Sequence, residues 1–263
     1  DRIAVLDNFC WGDPLRPETM GTLVEACRGC HDAALFYGTP FISGKDSLNN
    51  EYMGSDGQRH AIPPTLLISS LGMIEDVEKA VTMDLKSAGN ELYIVGDFEP
   101  VFGGSHLGLV EPELGIGASE MVPTVSEATP KVYRALHQAI SAGLVKSAHD
   151  ISEGGLAVAA AEMCIGGRLG LNLKFGERDE PLHILFGETT GCLLVEVSPS
   201  DRAAFLKHFR GLPFTWIGKV TETQSLAVSV HGVPVLDAPV ADLASGWLSA
   251  APAWLHGLVV DGI

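Results

Sequence analysis

Apolar segments alternate with polar, glycine-containing turns along the chain, and this pattern predicts a mixture of strands and helices. In the first part of the chain, the amphipathic segment from Pro17 to Tyr37 predicts a helix, with Gly38 at its carboxyl end. The charged segment from Glu75 to Glu91 carries little core pattern, so we expect it to connect two domains. Strands are predicted over residues 2–6, 40–43 and 65–74.

Beyond this segment, predicted strands and helices alternate. A helix is predicted from Thr129 to Ala142, with Thr129 as its cap and Gly143 as its stop, and two more over residues 156–164 and 200–209. His231 and Gly232 favour a hairpin between the last two strands. Strands are predicted over residues 92–96, 144–150, 192–197, 214–220, 226–230 and 233–236. The pattern therefore predicts an α+β or mixed α/β fold in two domains, residues 1–80 and 90–263.

Composition indicates a globular protein and narrows its partners. The chain has 263 residues, of which 46% are hydrophobic, so it can bury a sizeable core. Its 17 basic and 33 acidic residues give a net charge of −16 with no basic cluster, which argues against nucleic acid or an acidic membrane as partner. No apolar run approaches the roughly 18 residues of a membrane span, so we expect a cytoplasmic protein. The start at Asp1, without a methionine, indicates a fragment or a processed chain.

The five cysteines favour free thiols in a reducing compartment, because their number is odd and the chain is large. Cys27, Cys30 and His31 spell the haem attachment pattern CRGCH, but they lie inside the segment predicted as an amphipathic helix. We therefore interpret them as helix residues. A structural zinc site would need two more ligands, and no second CxxC or HxxxH is present.

The segment from Ala148 to Met163, AHDISEGGLAVAAAEM, has the order in which chains build phosphate and metal sites. A strand delivers Asp150, Ser152 is placed to cap the next helix, and the N–H groups of residues 153–155 are expected to be free. Gly154 and Gly155 would let a phosphate approach the positive end of the helix, while Asp150 would hold the accompanying Mg²⁺. An ordinary capped helix with a Gly-Gly turn explains the same residues.

A second candidate is the loop within GTPFISGKDSLNNE, residues 38–51. Gly44 allows close backbone approach, Lys45 offers a cation for phosphate, Asp46 or Glu51 offers a metal ligand, and Ser47 offers a hydrogen bond to a substrate. The spacing is not that of a Walker P-loop. A solvent-exposed turn is enriched in the same residue types, so that interpretation stays open.

With these residues in view, the chain resembles the carboxyl-terminal half of the phosphoribosylformylglycinamidine synthase family, within the aminoimidazole ribonucleotide synthetase superfamily. The strings that carry the resemblance occur in the family's order and span nearly all of the chain: LDNFCWGDP, GTPFISGKDSLNNE, TLLISSLGMIEDV, FGGS, HDISEGGLAVAAAEM and LFGETTGCLLVEV. HDISEGGL is shared across the superfamily, whereas DNFCWGDP with SGKDS is more specific.

The resemblance implies a fold and a reaction. The fold is an amino-terminal α+β domain, whose sheet pairs with that of a partner module to make a barrel, followed by a carboxyl-terminal α/β domain. The reaction uses ATP and Mg²⁺ to phosphorylate the amide oxygen of formylglycinamide ribonucleotide, after which glutamine-derived ammonia displaces phosphate to give the amidine. Phosphate is the better leaving group, which is why the amide is activated in this way.

The resemblance also implies roles for matching residues. Asp7 and Gly44 would contact the catalytic ATP and Ser47 the substrate, whereas Asp150 and Ser152 would line an auxiliary nucleotide site with its Mg²⁺. In many relatives, an asparagine that binds metal follows the glycine that corresponds to Gly44. The chain departs from those relatives at this point.

Here Lys45 and Asp46 follow Gly44, so the assignment of Lys45 to nucleotide and Asp46 to metal depends on this departure. The family's catalytic histidine belongs to the amino-terminal half, and we find no catalytic residue in this chain. We therefore expect the isolated chain to be inactive. Its expected partners are that half, a glutaminase and a small bridging subunit. Two alternatives stay open, a structural nucleotide-binding module and another superfamily member such as selenophosphate synthetase.

Overall fold

The computed structural model of the chain describes residues 2–116, 121–176 and 180–249. It divides into two compact units, Asp1–Val77 and Glu78–Ile263, and the last residues of the second predicted domain, 250–263, lie outside the described residues. The first unit contains β1 (Ile3–Cys10), α1 (Pro17–Tyr37), β2 (Phe41–Gly44), β3 (Glu51–Met53), β4 (Arg59–Ala61) and β5 (Thr65–Gly72).

The second unit is larger. Its strands are β6 (Glu91–Val95), β7 (Val145–Asp150), β8 (Gly170–Phe175), β9 (Leu193–Val197), β10 (Phe214–Thr221), β11 (Ser225–Val230) and β12 (Val233–Pro239). Its helices are α2 (His106–Val110), α3 (Thr129–Ser141), α4 (Gly155–Gly167), α5 (Pro181–Phe186), α6 (Arg202–His208) and α7 (Val240–Ser249). Two 3₁₀ turns lie at Val77–Lys79 and Pro112–Leu114.

The first unit is a small sheet with a large exposed apolar surface. Its three main strands have the order β2-β1-β5, with β1 parallel to β2 and antiparallel to β5, and β3 and β4 form a separate hairpin. Helix α1 contains no buried residue, while Leu67 and Leu71 of β5 are 58% and 61% exposed. The buried hydrophobic residues of its described part are Val5, Phe9 and Trp11. This unit therefore has a thin core.

Helix α1 confirms the sequence prediction for this segment. It runs from Pro17 to Tyr37, and Gly38 adopts the left-handed conformation, with φ of 68°, in which its N–H donates to the Ala34 carbonyl oxygen. The CRGCH motif lies within this helix, where Cys27 is exposed. The helical interpretation of the motif therefore holds.

The second unit is a seven-stranded mixed sheet covered by helices on both faces. The strand order is β12-β11-β8-β10-β6-β9-β7, and β6, β7, β8 and β11 run in one direction against the other three. Alternate residues of β6 face opposite sides: Leu92 and Ile94 join the core under α4, α5 and α7, whereas Tyr93 and Val95 join the core under α3 and α6. Five consecutive buried residues in β6 follow from this arrangement.

Each helix and strand predicted in this unit is present, and the structure adds strand β8 and the helices α2, α5 and α7. The predicted hairpin is confirmed, because β11 pairs with β12 around His231 and Gly232, which have φ values of 56° and 75°. Helix α3 begins at Thr129, so this residue lies inside the helix and is not the predicted cap. Within the expected connector, Leu85 is 2% exposed and packs in the core of the second unit.

Strand β1 is longer than predicted. It extends to Cys10 because it pairs with β5 along its whole length, from Ile3 opposite Gly72 to Cys10 opposite Thr65. The residues after Leu6, for which no strand was predicted, are therefore partly strand.

No helix in the described part of the chain combines the length and apolarity that crossing a bilayer requires.

Candidate functional site

The loop after β2 continues the pairing with β1 beyond the regular sheet. The Lys45 N–H donates to the Asp7 carbonyl oxygen at 3.1 Å, and the Ser47 N–H donates to the Phe9 carbonyl oxygen at 2.8 Å. Between these bonds, the Phe9 N–H donates to Oδ1 of Asp46 at 3.2 Å. A side-chain carboxylate thus takes the place of a backbone carbonyl in the ladder. The structure therefore brings together the candidate residues of the first unit.

Asp7 and Gly44 are direct partners in this parallel pair. A Cβ atom on residue 44 would overlap the Asp7 carboxyl group, whose Cγ would lie 2.7 Å away. The glycine therefore lets the Asp7 carboxylate lie against the backbone of β2. This requirement exists whether or not a ligand also approaches here.

Lys45 and Ser47 form a polar pair at the same place. The Lys45 ammonium donates to Ser47 Oγ at 2.9 Å, and that hydroxyl oxygen lies 3.7 Å from the thiol sulfur of Cys10. The Cys10 thiol in turn donates to Oδ1 of Asn8 at 3.4 Å. An ammonium, a hydroxyl, a thiol and an amide are thus lined up along the end of β1.

In the second unit, Asp150 ends β7 as the sequence predicted, and its side chain is 65% exposed. Its Oδ1 atom lies 3.4 Å from Nδ1 of His149, whose Nε2 atom lies 2.8 Å from Oε2 of Glu162 in α4. Because a carboxylate can only accept, His149 donates from Nε2 to Glu162. His149 therefore sits between two carboxylates and ties β7 to α4.

The start of α4 differs from the prediction. The helix begins at Gly155 with Gly154 as its N-cap, and no side chain caps it, so the expected cap by Ser152 is wrong. Ser152 contributes its carbonyl oxygen, which accepts the Gly155 N–H at 3.0 Å. The Gly154 N–H donates to Oε1 of Glu188 at 2.9 Å. Two of the N–H groups expected to be free for a phosphate are therefore used within the chain.

Glu188 is the anion at this helix end. Besides the Gly154 N–H, its Oε1 atom accepts the His106 N–H at 2.8 Å and lies 3.3 Å from Nδ1 of the same residue. A carboxylate is favoured there by the helix dipole, as a phosphate would be. Glu188 lies within the string LFGETTGCLLVEV, but its role could not be predicted from the sequence, because its partners lie 34 and 82 residues away.

Gly155 is a glycine for a packing reason. A Cβ atom there would lie 2.5 Å from the Gly187 carbonyl oxygen and 3.0 Å from the Phe186 carbonyl carbon, and its φ is +71°. The glycine lets the start of α4 rest directly on the turn after α5. Packing thus gives a second reason for glycine at position 155, and the role of Gly154 and Gly155 in binding a phosphate stays a prediction.

A cleft of about 570 Å³ opens at the carboxyl end of β6, on the edge of the sheet where β7 and β8 also end. Among the residues that the structure describes, the charged and ionisable ones that line it are Asp97, Glu180 and His183, and its walls include apolar core residues, among them Ile94, Ile184 and Ile217. Asp150, at the end of β7, and Glu188, in the loop before β9, lie at the same edge of the sheet. Ligand-binding residues of α/β sheets commonly gather at the carboxyl ends of strands.

The predicted metal ligands occur singly. The described residues contain no group of three or more His, Cys, Asp or Glu side chains arranged to hold a metal ion. Asp46 belongs to the first unit and Asp150 to the second. Magnesium commonly binds one or two carboxylates together with phosphate oxygens and water, so the exposed carboxylate of Asp150 fits that donor chemistry when a nucleotide supplies the rest.

Comparison with known proteins places this arrangement in a family. The carboxyl-terminal domain of AIR synthase related proteins matches residues 87–231, which contain β6 to β11 and the loops described above. The chain belongs to this AIR synthase related family. The resemblance seen in its motifs is therefore confirmed at the level of the family.

Curated relatives match both units. The chain is 36% identical over 250 residues to the phosphoribosylformylglycinamidine synthase subunit PurL of Lactobacillus helveticus, a match that covers 95% of this chain and 32% of the relative. It is 39% identical over 204 residues to the PurL subunit of Gloeobacter violaceus, with 77% and 26% covered. The matches thus span about a third of the first relative and about a quarter of the second.

Solved structures confirm the fold. Thermotoga maritima PurL complexed with FGAR has a TM-score of 0.71 at 20% identity, covering 92% of this chain and 39% of that one. Escherichia coli HypE, a hydrogenase maturation protein, has a TM-score of 0.62 at 19% identity, covering 90% and 73%. The predicted AIR synthase-type fold is therefore correct.

Proposed function

We propose that this chain is the carboxyl-terminal part of a phosphoribosylformylglycinamidine synthase, a ligase of purine biosynthesis. The observation that carries the proposal is the match to PurL subunits across 95% of the chain, which includes the loop after β2, residues 45–47, and the end of β7. Structures of Thermotoga maritima PurL with FGAR, ATP and ADP are among its structural neighbours. In the proposed reaction, ATP activates the amide oxygen of formylglycinamide ribonucleotide and ammonia replaces it.

The residues would divide this work between the two units. In the first unit, Asp7, Gly44 and Lys45 would contact a nucleotide, and Ser47 would donate a hydrogen bond to the substrate. In the second unit, Asp150 and Ser152 would hold Mg²⁺ with a second nucleotide. Magnesium, when bound, would neutralise charge on the phosphates.

The proposal also names partners and a compartment. Because the chain spans about a third of its relatives, the remaining part of the enzyme would carry the catalytic histidine. A glutaminase and a small bridging subunit would deliver ammonia, and the structure of PurLQS from Thermotoga maritima is among the neighbours. The exposed strand β5 offers an apolar face for the other half of the enzyme. We place the enzyme in the cytoplasm, where purine synthesis occurs.

An assay of the full-length protein that contains this chain tests the proposal. With formylglycinamide ribonucleotide, ATP, Mg²⁺ and ammonium chloride, it should form the amidine and one ADP per product. The isolated chain, at the same concentration, should form none. Amidine formation by the isolated chain would contradict the division of labour, and failure of the full-length protein to form it would contradict the function.

A further inference from the structure

The two cysteines of the CRGCH motif lie on one face of helix α1. Cys27 and Cys30 are three residues apart, and side chains at this spacing are neighbours on a helix surface. Both thiols are free, with Cys27 exposed and Cys30 partly exposed. The proposed function uses neither of them, so the helix presents two adjacent thiols to which no chemistry has been assigned.

The surroundings of Cys30 also indicate that the two thiols are close. Burial raises the pKa of the Cys30 thiol above its ordinary value of 9.0, and the negative charges of Cys27 and of Asp7 raise it further. Charges shift a pKa in this way when they lie nearby. Cys30 is therefore a protonated thiol at neutral pH, close to Cys27 on its own helix and to Asp7 on β1.

The geometry of an α-helix decides how well two such thiols can be joined. With a rise of about 1.5 Å per residue and a Cα radius of about 2.3 Å, Cα atoms three residues apart are separated by about 5 Å, within the roughly 4.4–6.8 Å found in disulfides. The Cβ atoms are about 5–6 Å apart, whereas a relaxed disulfide needs roughly 3.5–4.5 Å. A disulfide here would strain one turn of the helix, and strained, exposed disulfides are the easily reduced ones.

We propose that Cys27 and Cys30 form a redox-sensitive pair, which hydrogen peroxide oxidises to a reversible disulfide within α1. The Cys27 thiolate attacks one oxygen of the peroxide, the O–O bond breaks, and hydroxide leaves as Cys27 becomes a sulfenic acid. The Cys30 sulfur gives up its proton, attacks the Cys27 sulfur and displaces the hydroxyl group as water. The two thiols lose two electrons and two protons in total, and one peroxide is reduced to two molecules of water.

The order of the two steps follows from exposure. Cys27 is the more exposed thiol and meets the peroxide first, whereas Cys30 reacts once a sulfenic acid lies beside it. Cys164 and Cys192 are buried in the second unit, so peroxide should oxidise them much more slowly. The inference does not depend on the proposed function, because neither Cys27 nor Cys30 is assigned to nucleotide, substrate or metal.

Mass spectrometry of the full-length protein that contains this chain tests the pair. The reduced protein is treated with hydrogen peroxide, its remaining thiols are alkylated, and trypsin cuts after Arg28, which separates Cys27 from Cys30. The peptide that ends at Arg28 should be cross-linked to the peptide of residues 29–45, and dithiothreitol should release the two. Because Cys10 lies in the first of these peptides, the experiment is repeated with Cys10→Ala, in which the cross-link should persist.

Two further variants test the mechanism and the geometry. In Cys30→Ser the sulfenic acid has no partner, so labelling of Cys27 by dimedone should rise at least fivefold. In the double variant Gly29→Cys with Cys30→Ser, the second thiol is two residues from Cys27 and does not face it, so disulfide formation should be at least tenfold slower. A Cβ atom at position 29 would meet nothing within 4 Å, so this variant should keep the helix.

Three outcomes would overturn the proposal: no cross-link in the unaltered protein, a cross-link that disappears in Cys10→Ala, or equal rates of disulfide formation at the two spacings. Unchanged dimedone labelling in Cys30→Ser would also overturn it, because the sulfenic acid would then not be the intermediate. None of these readouts measures amidine formation, so the redox pair and the proposed function can fail separately. Circular dichroism of each variant shows that the comparison is made between folded proteins.

Discussion

At the scale of single residues, the structure separates side chains that look alike in the sequence. Asp46 and Glu188 are both acids in glycine-containing loops, yet one completes a strand pair and the other occupies the amino end of α4. Neither role can be predicted from local spacing, because each depends on a partner more than 30 residues away. Asp150, by contrast, ends β7 as predicted, since the strand is continuous in sequence up to this residue.

Glu196 illustrates how much a single buried carboxylate can stabilise. It is fully buried, and its two oxygens accept hydrogen bonds from Lys86 N–H at 2.9 Å and Ser87 N–H at 3.1 Å, and from the side chains of Asn90 at 2.6 Å and Ser147 at 2.8 Å. Glu196→Ala would leave these donors buried without an acceptor. We expect the free energy of unfolding to fall by about 3 kcal/mol, measured by urea denaturation.

Glu222 is the matched control for this prediction, because it is an exposed glutamate in the same unit. Glu222→Ala should change the free energy of unfolding by less than about 0.5 kcal/mol. Equal losses of unfolding free energy in the two variants would show that the hydrogen bonds to Glu196 do not stabilise the protein.

At the scale of elements, segments with a clear apolar pattern were predictable, and several short segments beside glycine or proline were not. Helices α1, α3 and α4 and the β11–β12 hairpin follow from periodicity and turn residues. Strand β8, helix α5 and helix α7 were missed, because six to ten residues beside glycine or proline give little periodic signal and pack through tertiary contacts. The predicted cap of α4 was wrong for a related reason, because the carboxylate at the start of this helix is that of Glu188, which comes from a distant loop.

Two glycines of helix α1 should respond in opposite directions to substitution by alanine, one lowering and the other raising the free energy of unfolding. Gly38 has φ of +68° at the helix end, so Gly38→Ala should lower the free energy of unfolding by about 1 kcal/mol through backbone strain. Gly29 lies inside the helix, and a Cβ there would meet nothing within 4 Å. Gly29→Ala should therefore raise the free energy of unfolding by about 0.5–1 kcal/mol.

Urea denaturation of both variants provides the measurement, and helix content from circular dichroism provides a check that α1 is intact. A stabilising effect of Gly38→Ala would contradict the left-handed conformation of that residue. A destabilising effect of Gly29→Ala would show that this face of α1 is covered.

At the scale of the whole molecule, burial is unequal between the two units. The first unit buries three hydrophobic side chains among its described residues, whereas the second builds two layers of core around its sheet. Sequence composition predicted a large core but not this inequality, because the strands of both units are similarly apolar. The amount of burial in each unit depends on whether the apolar faces of its strands are covered by helices or exposed to solvent.

Buried thiols in the second unit predict how global stability responds to alkaline pH. Burial raises the pKa of Cys164 to about 12 and that of Cys192 to about 11, from an ordinary value of 9.0. Above pH 9 the unfolded thiols lose protons that the folded thiols keep, so the unfolded state is favoured. The free energy of unfolding should therefore fall as pH rises from 9 towards 11.

Urea denaturation between pH 8 and 11 measures this slope. It should be shallower in Cys164→Ala than in the unaltered protein, and the same in Cys27→Ala, because Cys27 is exposed in α1. An unchanged slope in Cys164→Ala would mean that this thiol ionises in the folded protein as easily as in the unfolded one.

The mixed sheet of the second unit has one further consequence. The cleft, Asp150 and Glu188 lie where β6 and β7 end and β9 begins, whereas the Glu196 network lies where β6 begins and β9 ends. The candidate site and the buried Glu196 network thus lie at opposite margins of one sheet. We therefore expect substitutions near Asp150 to leave the opposite margin intact, so that binding preferences there can be redesigned with little loss of stability.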